Sequence, residues 1–294
     1  MVRIQIMSDL HLELDEAYGH FNIPPEAPYL ALLGDLGNFA FHGTQYTEFI
    51  ERHLLQFKAI FYEVARTAVE QFCHNVQIRR KIPGSTLGDF VFLDNSRYDI
   101  LNENVTILGA TLFTNPPRGQ RHCTDAYYRN EIRTNYDVRK HMLAHFDTMS
   151  YLSHEVAALA HEDPRRSIII LTHHCPTLNT EAVGQPPVVD RGGMKYRYAC
   201  DLTKEHPWIE ADAVKLWAFG STHYNCDYVD EKTRKRVYSN QRGYPGECHD
   251  FRIYAVVDIS AYDDTYDDTS EPFPSCRSPP IIKADYPYDP NLQP

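Results

Sequence analysis

The stretch VRIQIMSDLH, residues 2–11, decides how the chain is read: a short β-type run, Val2–Met7, stops at Ser8-Asp9-Leu10-His11. The pattern recurs. Tyr29–Leu33 stops at Gly34-Asp35-Leu36-Gly37-Asn38, and residues 105–113 form another run that Gly109 is expected to break. Ser167–Thr172 runs into His173-His174, residues 214–219 stop at Gly220-Ser221-Thr222-His223, and residues 252–259 close the series. Near-continuous apolar runs of this length read as strands buried on both faces.

Helical patterns lie between the strands. From Phe49 onward Ile50, Leu54, Phe57, Phe61, Ala65, Ala68 and Phe72 follow a 3.6-residue period, and a second helix is expected from about Val138 to Ala160. Strands alternating with helices indicate an α/β fold. Ligands gather at the carboxyl ends of strands in such sheets, which is where these Asp and His residues stand.

The composition is that of an ordinary globular protein: 294 residues, 43% hydrophobic and 23% charged. The 29 Lys and Arg against 40 Asp and Glu give a formal charge of −11. That balance argues against a grip on nucleic acid or on an anionic membrane, both of which need a basic face. Seven scattered cysteines with no C-x-x-C argue against a disulfide framework or zinc knuckle, and for a reducing compartment. With no signal pattern and no apolar stretch of spanning length, the expected location is cytoplasmic. Residues 1–260 read as one folded domain; residues 261–294 read as an acidic, Pro-rich tail, draped or disordered.

Asp9, His11, Asp35 and His223 together make a mixed oxygen and nitrogen donor set suited to Mn, Fe or Zn rather than Ca or Mg. Asp9 and His11 are two apart, so both face one side if strand geometry continues. A lone Asp-x-His is common at a strand end. Four such pieces in order, each directly after an apolar run, point to a metal site.

The ordered set Asp9-x-His11, Gly34-Asp35, Thr172-His173-His174-x-Pro176 and Gly220-x-Thr222-His223 resembles the calcineurin-like metallophosphoesterases, over residues 2–259. Residues 216–227, followed by Asn240-Gln241-Arg242-Gly243-Tyr244, resemble an uncharacterised, largely fungal branch of that family. The resemblance implies two stacked mixed β-sheets flanked by helices (α/β/β/α). It also implies a two-metal site that orients a small phosphomonoester or phosphodiester and supplies a hydroxide for attack at phosphorus. On this resemblance metal 1 is held by Asp9, His11, Asp35 and His223. Metal 2 shares Asp35 and takes His173, with His174 as the fallback.

Two family elements are missing. Ser221 stands where the family has a metal 2 histidine, and no Gly-Asn-His motif occurs between Asn38 and Ser167. In the family that Asn binds metal 2, and that His acts at the transition state or leaving group. Residues 56–62 resemble the strand leading into the motif, and residues 63–66 resemble the helix after it. They abut at Tyr62 and Glu63 with no loop, so one reading is a lost segment, through deletion, splicing or a faulty gene model. The other is one long helix over residues 47–73. The expected outcome is a phosphoesterase with metal 1 intact and metal 2 degraded; the alternative is a non-catalytic relative that binds a metal or a phosphorylated ligand.

Other residues receive weaker readings. Arg118, Arg121, Tyr127, Tyr128 and Arg129 suit phosphate recognition or a solvated loop. His141 and His145, one helical turn apart, suit metal binding by spacing but read as a helix-surface pair.

Overall fold

The structure, a computed structural model, describes residues 1–63, 69–118, 138–184, 194–209 and 212–259. Two sheets form the centre. The first runs β11-β1-β2-β3-β4, built from β1 (Val2–Met7), β2 (Tyr29–Leu33), β3 (Ala59–Glu63), β4 (Asp89–Phe92) and β11 (Val256–Ile259). The second runs β5-β6-β7-β8-β10-β9: β5 (Ser96–Ile100), β6 (Val105–Ala110), β7 (Ser167–Thr172), β8 (Val214–Ala218), β9 (Cys226–Val229) and β10 (Arg236–Ser239). Strands β1 to β4 run parallel, as do β6, β7 and β8, while β11, β5 and β9 pair antiparallel to their neighbours. Both sheets are therefore mixed.

Alternation along each strand sorts the side chains into layers. Ile4, Ile6, Ala31, Leu33 and Phe61 face Ile107, Ile169, Leu171 and Leu216 between the sheets. The opposite faces, Leu30, Leu32, Ile60 and Tyr62, pack on helix α1 (Phe39–Leu54), through Tyr46, Phe49, Ile50 and Leu54. On the other side Ile168, Ile170 and Trp217 pack on helix α3 (Val138–Glu162), through Leu152, Val156 and Leu159. The result is the expected α/β/β/α stack. Its carboxyl strand ends in both sheets meet at one edge, and that edge carries the site.

Several expectations need correction. The helical period over residues 49–72 does not describe one helix: α1 ends at Leu54, β3 follows, and helix α2 spans Val69–Arg80. An apolar run buried on both faces satisfies helical and strand templates alike, and here layer packing decides. The single helix over residues 47–73 is thereby excluded. Glu63 ends the strand rather than starting a helix; residues 64–68, where the abutting strand and helix were expected, lie outside the described residues. Gly109 does not break β6. It sits inside the strand, where an added Cβ would press on Leu93. His141 and His145 are buried rather than exposed: His141 Nε2 lies 3.0 Å from Thr114 Oγ1, and His145 Nδ1 donates to Phe113 O at 2.6 Å. Arg118 is exposed. Arg121, Tyr127, Tyr128, Arg129 and the tail after residue 260 lie outside the described residues. Among the described residues no helix is long and apolar enough to cross a membrane.

Candidate metal centre

The site begins where β1 and β2 stop. Asp9 N donates to Gly34 O at 3.2 Å and His11 N to Asp35 O at 3.0 Å, so the two post-strand loops are laced together. Strand geometry does not continue here: Asp9, His11 and Asp35 take φ of 51°, 45° and 39°. On the second sheet Ser221 and His223 take φ of 70° and 50°. Left-handed backbone strains non-glycine residues, and Asp and His are among the types that tolerate it best. Asp9 and His11 thus converge through two left-handed residues, not through the alternation of a strand.

Glycine is needed at two points. Gly34 has φ +92°, and an added Cβ would fall 2.6 Å from His173 Cε1. At Gly220 an added Cβ would lie 2.6 Å from Asp9 Oδ2 and 2.8 Å from Leu33 O. Gly220 N also donates to His173 O at 2.8 Å within the second sheet, while the approach of Gly220 to Asp9 and Leu33 O is what brings the two sheets together at the site.

Two donor groups result. Asp9, His11 and His223 offer ligand atoms within 4.8 Å of one another, and so do Asp9, Asp35 and His173. The carboxylate common to both is Asp9, whereas the resemblance gave that role to Asp35. His173 is the member of the His-His pair that faces the site. Its Nδ1 donates to Leu33 O at 2.8 Å and its Nε2 lies 4.0 Å from Asp35 Oδ2. His174 turns to Thr111, with Nδ1 3.2 Å from Thr111 O. Ser221 brings its backbone N–H, not a ligand side chain, to Asp9 Oδ2 at 2.9 Å.

The histidines are oriented from behind. His11 Nδ1 is 3.1 Å from Glu13 Oε1, His223 Nδ1 is 2.6 Å from Glu247 Oε2, and the two Nε2 atoms face each other at 3.2 Å. A carboxylate on Nδ1 fixes the tautomer and leaves Nε2 for a metal. The Tyr244 ring packs on both imidazoles, with centroids 4.5 Å from His11 and 4.9 Å from His223. Gln241 fixes the His223 loop, accepting from His223 N at 2.6 Å and donating to Thr222 Oγ1 and Tyr224 O. Arg242 straps the same segment to the first loop by donating to Leu10 O at 2.6 Å.

Electrostatics follow from this packing. Burial alone would raise the Asp9 carboxyl, but the His223 contact and charge, then His173 and Ser8, hold it well below the usual range. Burial opposes protonation of His223, yet Asp9 and Glu247 push it up to about 10. His173 likewise rises to about 9 against burial, through Asp35, Glu63 and Asp9. Asp9 Oδ1 is fully buried with no hydrogen bond, 3.4 Å from His223 Nε2. An orphaned carboxylate oxygen facing inward-turned imidazoles fits a divalent transition ion.

Sequence reasoning missed Glu13, Glu247 and Glu63. Glu13 was within reach, two residues after His11. Glu247 comes from a distant loop, and Glu63 ends an apolar run, so neither carried a local signal.

No family model matches the chain. It is 22% identical over 287 residues to "Uncharacterized protein L509" of Acanthamoeba polyphaga mimivirus, covering 87% of this chain and 96% of that protein. The crystal structure of Phosphopantetheinyl Hydrolase (PptH) from Mycobacterium tuberculosis is similar, with a TM-score of 0.51 at 13% identity, over 82% of this chain and 89% of that one. The crystal structure of TT1561 of Thermus thermophilus gives a TM-score of 0.39 at 11% identity, over 84% and 91%. The likeness to the first structure shows the fold. It is an α/β/β/α stack of two mixed sheets flanked by helices.

Proposed function

We propose that the chain is a metal-dependent phosphoesterase acting on a phosphomonoester or phosphodiester of a small molecule. Its first cation would be held by Asp9, His11 and His223 with Asp35 beside them, and its second by Asp9, Asp35 and His173. The observation that carries this reading is the meeting of Asp9, His11 and His223 within 4.8 Å, next to the second group of Asp9, Asp35 and His173. The fold shared with a solved hydrolase supports hydrolysis as the reaction class.

A bound divalent cation supplies Lewis acidity toward a phosphoryl oxygen and an acidified water at neutral pH. The chain does the rest. Asp9, kept ionised, anchors both groups, while Glu13 and Glu247 hold the His11 and His223 rings with Nε2 inward. Tyr244 covers the imidazole faces. The Asp35 side chain, 46% exposed, marks the side from which a substrate phosphate approaches.

One observation favours a second reading, a non-catalytic binder of a metal or a phosphorylated ligand. Ser221 offers no imidazole, and residues 64–68 contain neither Asn nor His to act at the leaving group. Loss of one such group is worth about 2.7–4 kcal/mol of barrier. Assay of an aryl phosphate monoester and diester with added Mn²⁺ separates the readings. Turnover that disappears in Asp35→Asn supports the phosphoesterase; retained metal with no turnover supports the binder.

A further inference from the structure

The Tyr244 ring packs on two of the three donor side chains of the first group, with centroids 4.5 Å from His11 and 4.9 Å from His223. It is also 44% exposed, so it forms open surface next to the centre. Exposed side chains ordinarily keep their rotamer freedom. This one is packed on one side, and its backbone is clamped as well. Tyr244 N donates to Glu247 Oε2 at 2.9 Å and Glu247 N to Tyr244 O at 2.9 Å, while the same Oε2 lies 2.6 Å from His223 Nδ1. Gly243, at φ +65°, makes the turn possible, for an added Cβ would lie 2.9 Å from Glu247 Oε2 and 2.8 Å from Cys248 Sγ. One carboxylate thus holds both the tyrosine backbone and a donor imidazole. A flat surface ordered in advance spends little on binding, which favours it as a contact for a ligand.

We propose that Tyr244 determines specificity by stacking against a neutral, planar aromatic group carried by the phosphate ester. This rests on the phosphoesterase reading given above. A phosphoryl group at Asp9, His11 and His223 has the Tyr244 ring as its neighbouring surface, because that ring touches both imidazoles. Two aromatic rings in offset or edge-on contact gain more than their buried area alone provides, which a puckered aliphatic group does not match. Glu13 and Glu247 stand behind the same two imidazoles, with side chains 24% and 32% exposed, so a negative charge on the organic group is disfavoured. A ring that served only to cover the imidazoles would be indifferent to the shape of that group.

The test measures, by calorimetry, binding of benzylphosphonate and cyclohexylmethylphosphonate to the full chain loaded with Mn²⁺. The two probes share the phosphonate and the linking carbon and differ in a flat against a puckered ring. The wild type is expected to bind the benzyl probe about three- to tenfold more tightly. Tyr244→Phe should keep that ratio, and Tyr244→Leu should bring it to unity. Any metal affinity lost with the ring weakens both probes alike, so the ratio isolates the stacking. Tyr244→Met serves in the same way if Tyr244→Leu does not fold. A wild type that binds both probes equally overturns the proposal and leaves the phosphoesterase reading standing. So does a Tyr244→Leu protein that keeps the wild-type ratio. A loaded wild type that binds neither probe contradicts both.

Discussion

The Nε2 atoms of His11 and His223 face each other at 3.2 Å across the junction of the two sheets, although the residues are 212 positions apart. Each ring has its Nδ1 on a carboxylate, Glu13 for His11 and Glu247 for His223. Two imidazoles so fixed, with the Asp9 carboxylate between the sheets, form a prearranged receptor for a cation.

Removing one supporting carboxylate should loosen that receptor without deleting a ligand. Glu13→Gln and Glu247→Gln should each weaken binding of Zn²⁺ or Mn²⁺ about 10- to 100-fold, as read by calorimetric titration. Glu247→Gln should have the larger effect, since its contact is shorter. Unchanged affinity in both variants would show that the rings are held by packing, including the Tyr244 stack, rather than by the carboxylates.

Metal binding must displace protons. His223 at about 10 and His173 at about 9 are protonated in the metal-free protein at neutral pH, and a cation competes with those protons. Apparent affinity should therefore rise with pH, by about tenfold per unit for each displaced proton, until these values are passed. Calorimetry in buffers of different ionisation enthalpy should show proton release. Binding that is level from pH 6 to 9 would contradict the coupling between Asp9 and His223.

The metal-free protein should be most stable near pH 6.5. His53 donates Nδ1–H to Phe49 O and accepts from Ile23 N, and burial depresses it to about 4; burial likewise holds His141 near 4. The unfolded chain takes up these protons below 6.5 while the folded chain refuses them, so stability is lost as pH falls from 6.5 toward 4, on the order of 2–3 kcal/mol for each histidine. His173 and His223 act with the opposite sign. Their folded values lie above 6.5, so their contribution is complete below 6.5 and is lost as pH rises through 9 to 10. Urea unfolding across this range should trace a maximum; a profile still rising above pH 8 would contradict it.

The glycines at the junction should tolerate no side chain. Gly34→Ala forces left-handed backbone on a residue whose Cβ meets the His173 ring, and Gly220→Ala presses on Asp9 and Leu33 O. Each should cost on the order of 1–3 kcal/mol and lower Tm by several degrees. Each should also weaken metal binding, because the atoms displaced are those of the site. A Gly220→Ala protein with wild-type Tm and metal affinity would contradict the close approach.

The sequence made the layered fold legible because β2 and β7 are almost wholly apolar, β1 and β8 keep one apolar face, and each leads into a loop bearing Asp or His. It misled where two templates fit one run. Phe57, Phe61 and Ala65 keep a helical period, yet Ala59–Glu63 is a strand because it lies between two packed layers. The donors Asp9, His11, Asp35, His173 and His223 were readable one by one, but the reason two of them meet was not. Asp9 and His11 converge through left-handed backbone that a period-two argument does not contain. Glu63 and Glu247 were hidden because their partners are distant in sequence: Glu63 meets Thr111, and Glu247 meets His223.

The central claim is that Asp9, His11 and His223 together hold a divalent cation. Equilibrium dialysis of the metal-free chain against Zn²⁺ or Mn²⁺, followed by elemental analysis of wild type and Asp9→Asn, tests it most directly. The account predicts at least one ion per wild-type chain and none retained by Asp9→Asn. A wild type that binds no ion, or an Asp9→Asn chain that loads as the wild type does, would contradict it.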